Sequence, residues 1–134
     1  MSEESFVKKT VMIVEDNPVN QKVMQKIVKI IGHDWISITD GHEAFEQVKL
    51  NKPDVILMDI QLIDISGIDI TRQIKSDPKL RHTPVIVVTA SATADDQERI
   101  VRESGCDDYL SKPFLPKELS EKISNYIEVK DIGF

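Results

Sequence analysis

Four short apolar runs, each ending in a polar or charged residue, constrain this chain more than any other feature. Val55-Ile56-Leu57-Met58 shows no apolar–polar alternation and ends in Asp59. Such a run reads as a strand buried on both faces, the pattern of a parallel sheet covered by helices. Val11-Met12-Ile13-Val14 ends in Glu15-Asp16, Val85-Ile86-Val87-Val88 ends in Thr89, and Tyr109-Leu110-Ser111 ends in Lys112-Pro113. Strands of a parallel sheet point one way, so these endings converge on one rim, where open α/β sheets bind ligands. Three acids, a hydroxyl and an amine gathered there make a site for a divalent metal and a phosphoryl group.

Between the runs lie helical patterns. Asn17-Pro18 opens the first, a capping residue followed by proline at the first helical position. Val19, Val23, Ile27 and Ile30-Ile31 then recur at helical spacing up to Gly32. Trp35 to Thr39 reads as a second strand. Helices follow over 41–51 (with Ala44, Phe45 and Val48), after a 60–66 loop (with Ile70 and Ile74), over 95–104, and over 116–127 (with Leu119, Ile123 and Ile127). This is a (βα)5 pattern, and right-handed crossovers then set helices on both faces of one doubly wound parallel sheet. Residues 1–8 and 128–134 read as tails, the latter frayed, around a single domain over 9–127.

The net charge of −6 argues against non-specific nucleic-acid binding, which needs a basic field. No apolar stretch approaches the roughly 20 residues that span a bilayer, and the acidic start, Met1-Ser2-Glu3-Glu4-Ser5, is unlike a secretory signal. With one cysteine, Cys106, there is no internal disulfide to expect. A cytoplasmic protein is the expectation, with Cys106 as a packing residue and Trp35 at a sheet edge or against a helix. His33, His42 and His82 lack metal-ligand spacing and are expected on the surface.

Carboxylates held together raise one another's pKa and cost stability. A hard cation such as Mg²⁺ (or Mn²⁺) removes that cost and keeps several of its waters. Asp16 and Asp59 are the expected direct ligands, with Glu15 reaching through water. Asp59 is the candidate nucleophile, because a carboxylate can accept a phosphoryl group as an aspartyl phosphate. Transfer of this kind is mostly positioning and charge neutralisation. The Lys112 ammonium and the Thr89 hydroxyl are the expected partners of the phosphoryl oxygens. Lys112-Pro113 is also a candidate cis peptide, a form cheap only before proline.

These blocks, Val14-Glu15-Asp16-Asn17, Leu57-Met58-Asp59-Ile60-Gln61, Val88-Thr89-Ala90 and Leu110-Ser111-Lys112-Pro113, resemble those of bacterial response-regulator receiver domains, the CheY-like superfamily. The resemblance runs over about residues 9–127. Ser104-Gly105-Cys106-Asp107-Asp108-Tyr109, with no output domain, is most similar to single-domain receivers of the DivK type. It implies a flavodoxin-like fold with strand order 2-1-3-4-5. It implies Mg²⁺-dependent phosphorylation of Asp59 by a histidine kinase or histidine phosphotransfer protein, with the Gln61 backbone carbonyl among the metal ligands. Thr89 and Tyr109 would form the switch, and the 95–127 surface would carry the signal to a downstream protein target. The chain would act as a regulator rather than an enzyme, as a monomer or weak dimer.

Two positions depart from the family pattern. Ile63 stands where proline is usual four residues after the acceptor, which gives the 60–66 loop more freedom. Glu15 replaces the commoner Asp. Gln61 and Ser91 flank the path of a hydrolytic water and are expected to tune the phosphoryl lifetime. Three other readings compete. A haloacid-dehalogenase-like phosphatase shares the Asp, Mg²⁺, Thr and Lys chemistry, but needs an acid where Gln61 stands. A flavin module would meet repulsion from Glu15-Asp16. A phosphorylation-independent adaptor would keep the fold and forgo the chemistry.

Overall fold

The computed structural model describes residues 6–90 and 93–130. Five strands alternate with five helices: β1 (Thr10–Val14), α1 (Pro18–Ile30), β2 (Asp34–Ile38), α2 (Gly41–Asn51), β3 (Val55–Met58), α3 (Gly67–Ser76), β4 (Val85–Thr89), α4 (Ala94–Ser104), β5 (Asp108–Ser111) and α5 (Pro116–Ser124). All pairings are parallel, in the order β2-β1-β3-β4-β5. This is the expected flavodoxin-like doubly wound sheet.

The missing alternation in the apolar runs has a direct cause. Met12, Val14, Ile56, Met58, Val85 and Val87 face α2, α3 and α4, packing with Ala44, Val48, Ile70, Ile74 and Ile100. Their neighbours Val11, Ile13, Val55, Leu57, Ile86 and Val88 face α1 and α5, packing with Met24, Ile27, Val28, Leu119 and Ile123. Successive side chains of a strand point to opposite faces, so a strand covered on both must be apolar throughout. Each fully buried aliphatic side chain contributes about 1.5–3 kcal/mol, and these two half-cores hold the sheet in place. Register aligns Val14 with Met58 and Met58 with Val87, so the residues just beyond β1, β3 and β4 share one rim.

Caps fix where the helices begin. Asn17 Oδ1 accepts from the Val19 and Asn20 amides, with Pro18 next in line. Asp40, Ser66 and Thr93 cap α2, α3 and α4 through their side-chain oxygens. Before α5 the Glu118 carboxylate accepts the Leu115 amide at 2.8 Å.

Three expectations are corrected. Two apolar stripes compete on α1, and the sheet takes Met24, Ile27, Val28 and Ile31, leaving Val19 69% and Val23 46% exposed, with Ile30 also outward. His33 is not on the surface but 3% exposed. Its Nδ1 accepts the Lys9 amide at 2.9 Å, its Nε2 donates to the Glu128 carbonyl, and its ring stacks on Phe6. The 128–130 segment is therefore docked rather than frayed: Val129 packs on the core and the Lys130 amide donates to the Ile31 carbonyl at 3.0 Å. Residues 131–134 lie outside the described residues. Trp35 sits on the edge strand β2, partly exposed, and Cys106 is buried.

Candidate functional site

The site is assembled at the C-terminal ends of β1, β3, β4 and β5. Glu15 leaves β1 with its amide bonded to the Ile38 carbonyl, and the Asp59 amide donates to the Val14 carbonyl, each at 3.0 Å. These backbone bonds carry the sheet register one residue past the strands and set the two carboxyl groups side by side. Gly67 lets α3 start against them: a Cβ there would lie 2.1 Å from the Asp59 carbonyl oxygen. No other residue fits such an approach.

Glu15 is completely buried. Its Oε1 lies 2.5 Å from Lys112 Nζ, and its Oε2 accepts the Asn17 amide at 3.3 Å. Burial, followed by a hydrogen bond with Asp59, pushes its carboxyl above the ordinary range, while Lys112 pulls the other way. Asp59 is buried as well; Oδ1 accepts the Gln61 amide at 3.1 Å and Oδ2 lies 3.4 Å from Lys112 Nζ. Asp16 is half-buried and accepts the Ile63 amide on Oδ2 at 2.9 Å. One oxygen from each of Glu15, Asp16 and Asp59 lies within 4.8 Å of the other two. Three hard oxygen donors at that spacing, opposed by the Lys112 ammonium, fit a hard divalent cation that retains waters.

Thr89 ends β4 with its side chain buried, and its Oγ1 has no hydrogen-bond partner among the described residues. Its carbonyl accepts the Lys112 amide at 2.8 Å, tying β4 to the turn that carries the lysine. The Lys112-Pro113 peptide is cis, and the ammonium points to the acids. A cavity of about 340 Å³ opens beside it, lined by Asn20, Val23, Met24, Ala90, Pro113 and Phe114. Tyr109 lies farther along β5, partly buried against the core beside Gln97 and Val101 of α4. The Gln61 side chain is exposed. Ser91 falls outside the described residues.

The structure thus brings Glu15, Asp16, Asp59, Thr89 and Lys112 to one rim and leaves Tyr109 back along β5, opposite Val87. Sequence reasoning missed three supports. Gln21 is buried on α1 and donates from Nε2 to the Glu15 carbonyl at 2.6 Å; a polar residue interrupting an amphipathic helix was the available signal. Gly67, directly after a capping serine, was a second. The Ile63 amide was the third, and its one trace was a residue other than proline at that position.

The chain is similar in sequence and fold to known proteins. The response regulator receiver domain matches residues 11–124. The polar-differentiation response regulator DivK of Brucella anthropi is 44% identical over 119 residues, covering 89% of this chain and 96% of that protein. DivK of Brucella ovis matches to the same extent. Among solved structures, the receiver domain of the Pseudomonas aeruginosa sensor histidine kinase PA1611 has a TM-score of 0.82 at 33% identity, covering 90% of this chain and 98% of that one. That structure holds a magnesium ion in its active-site cleft. A Chloroflexus aurantiacus response regulator structure has a TM-score of 0.84 at 27% identity, with 90% and 98% covered. By both sequence and fold, this chain belongs to the response regulator receiver domain family.

Proposed function

We propose that the chain is a single-domain response regulator of a two-component phosphorelay that accepts a phosphoryl group on Asp59. One observation carries the reading: a buried Asp59 carboxylate lies between an ammonium and an acid pair, with an unpartnered buried hydroxyl on the neighbouring strand. A buried hydroxyl without a partner costs about 1–3 kcal/mol, and a phosphoryl oxygen on Asp59 would satisfy it.

The phosphoryl donor is a phosphohistidine of a histidine kinase or histidine phosphotransfer protein. An Asp59 carboxylate oxygen attacks phosphorus, the O–P bond forms as the N–P bond breaks, and the imidazole leaves with the electron pair. The Gln61 amide holds Oδ1 and so orients the nucleophile. Lys112 shifts from Glu15 and Asp59 toward a transferred oxygen, and Thr89 Oγ1 donates to another. Asp16, Asp59 and the Gln61 carbonyl, with Glu15 behind them, would hold a Mg²⁺ or Mn²⁺ ion, which would supply charge neutralisation. Gln61 and Ser91 tune the lifetime of the product.

Movement of Thr89 then biases Tyr109 and the 95–127 surface toward the conformation that binds a downstream protein. The bias cannot exceed the difference in the phosphoryl group's interactions with the two conformations. The chain works in the cytoplasm, as a monomer or weak dimer. Among the described residues no helix is long and apolar enough to cross a membrane. No acid stands at Gln61 to serve as the general acid of a phosphatase, which favours a regulator over a turnover enzyme.

Incubation with Mg²⁺ and acetyl phosphate, followed by intact-mass measurement, tests this. One phosphoryl group should be gained, and lost with chelator or in Asp59→Asn. No gain, or a gain that persists in Asp59→Asn, overturns the reading.

A further inference from the structure

The loop between β3 and α3 reaches back to the acid pocket through its backbone. The Gln61 amide donates to Asp59 Oδ1 at 3.1 Å, and two residues later the Ile63 amide donates to Asp16 Oδ2 at 2.9 Å. Farther along, the loop is anchored independently of the pocket. Ile65 packs on the core, and the Gly67 amide bonds to the Ile60 carbonyl at 3.0 Å. Between these anchors the Ile63 side chain is 92% exposed. At this position, then, the side chain touches almost nothing and the amide touches an acid.

We infer that the Ile63 backbone amide is a positioning group for the metal site, holding the Asp16 carboxylate in its cation-binding orientation and coupling the loop to the pocket. This rests on the reading that the pocket takes Mg²⁺. With Oδ2 on the amide, Asp16 still offers an oxygen within 4.8 Å of those of Glu15 and Asp59, so the hydrogen bond and the ligand geometry coexist. A half-buried carboxylate without that donor samples other staggered side-chain wells, of which there are about three at χ1. Ordering it again on cation binding costs side-chain entropy. Any residue except proline supplies the N–H. A cation that fixes Asp16 also fixes the loop, and with it the exposed isoleucine.

Mg²⁺ titration by calorimetry compares the wild type, Ile63→Pro and Ile63→Ala. Proline removes the donor; its rigidity alone would tighten binding or leave it unchanged, so the two effects have opposite signs. The dissociation constant should rise about three- to tenfold in Ile63→Pro, the range set by one rotamer-fixing bond. Ile63→Ala keeps the N–H and should restore wild-type affinity. Amide hydrogen exchange gives a readout that does not need the proline variant to fold. The Ile63 amide should be protected in the wild type and should exchange at least about tenfold faster in Asp16→Ala, as expected when a hydrogen-bonded opening step is lost.

Equal affinity in Ile63→Pro and the wild type, weakening in Ile63→Ala as large as in Ile63→Pro, or an unprotected Ile63 amide each overturns the inference while leaving the metal reading intact. A wild-type protein that binds no Mg²⁺ overturns both.

Discussion

Replacing Lys112 with methionine isolates the charge balance of the rim. The ammonium lies 2.5 Å from Glu15 Oε1 and 3.4 Å from Asp59 Oδ2, and both acids are buried. Methionine keeps much of the aliphatic stem, so charge is lost rather than packing. Removing one member of a buried ion pair leaves its partner uncompensated and costs about 3–5 kcal/mol. Glu15 has an escape, which is to take up a proton. Burial and the Asp59 hydrogen bond already raise its carboxyl above the ordinary 4.5, and Lys112 alone among the causes of any size opposes them. The substitution deletes that opposition.

The escape sets the magnitude. Holding a proton at pH 7 on a carboxyl whose unfolded value is 4.5 costs about 3.4 kcal/mol, at about 1.36 kcal/mol per pH unit; at pH 5 it costs about 0.7 kcal/mol. A carboxyl raised in the folded state binds more protons there than in the unfolded chain. Its contribution to stability is therefore intact below 4.5 and declines as pH rises through the raised value. Lys112→Met should lose up to about 3 kcal/mol against wild type at pH 7, reduced by whatever the wild type's own raised Glu15 carboxyl already costs there, and under about 1 kcal/mol at pH 5. Urea denaturation in chelated buffer, followed by Trp35 fluorescence, measures both. A loss below about 1 kcal/mol at pH 7, or equal losses at the two pH values, would refute the buried-pair account.

Thr89→Val is nearly isosteric and removes the unpartnered hydroxyl, so thermal unfolding should show a gain of about 1 kcal/mol; a loss of that size would mean the hydroxyl is already satisfied. Gly67→Ala places a methyl 2.1 Å from the Asp59 carbonyl oxygen and should cost about 3 kcal/mol or more in denaturant, a neutral result being incompatible with the observed approach. His33→Ala leaves the Lys9 amide and the Glu128 carbonyl unpaired, costing about 2–4 kcal/mol, and hydrogen exchange at 128–130 should accelerate. Unchanged exchange there would show that Val129 and the Lys130–Ile31 backbone bond hold the segment without His33.

The sheet was legible because a doubly covered strand leaves an unambiguous trace: Val55 to Met58 admits no polar residue. The rim was legible for a related reason. Parallel strands aim their last residues the same way, so Glu15, Asp59 and Thr89 had to be neighbours once the runs were read as strands. His33 was not legible. Its partners are backbone groups 24 and 95 residues away, and a histidine bonded to main chain looks in sequence like one facing water. The 128–130 segment failed with it, since the Glu128 carbonyl is half of that contact.

The orientation of α1 shows how the two kinds of information meet. Hydrophobicity alone does not choose between the stripe through Val19 and Val23 and the stripe through Met24, Ile27, Val28 and Ile31, because both are apolar and both have helical spacing. Gln21 breaks the tie. A buried amide must be hydrogen-bonded, and Gln21 Nε2 reaches an acceptor, the Glu15 carbonyl, 2.6 Å away. Turning α1 to bury Val23 would swing Gln21 off that carbonyl and leave a peptide group at the rim unpaired. The helix face is thus selected by the same backbone that carries Glu15 into the site. Val19 and Val23 stay exposed because the pocket is built this way, and Val23 with Met24 comes to line the cavity beside Lys112.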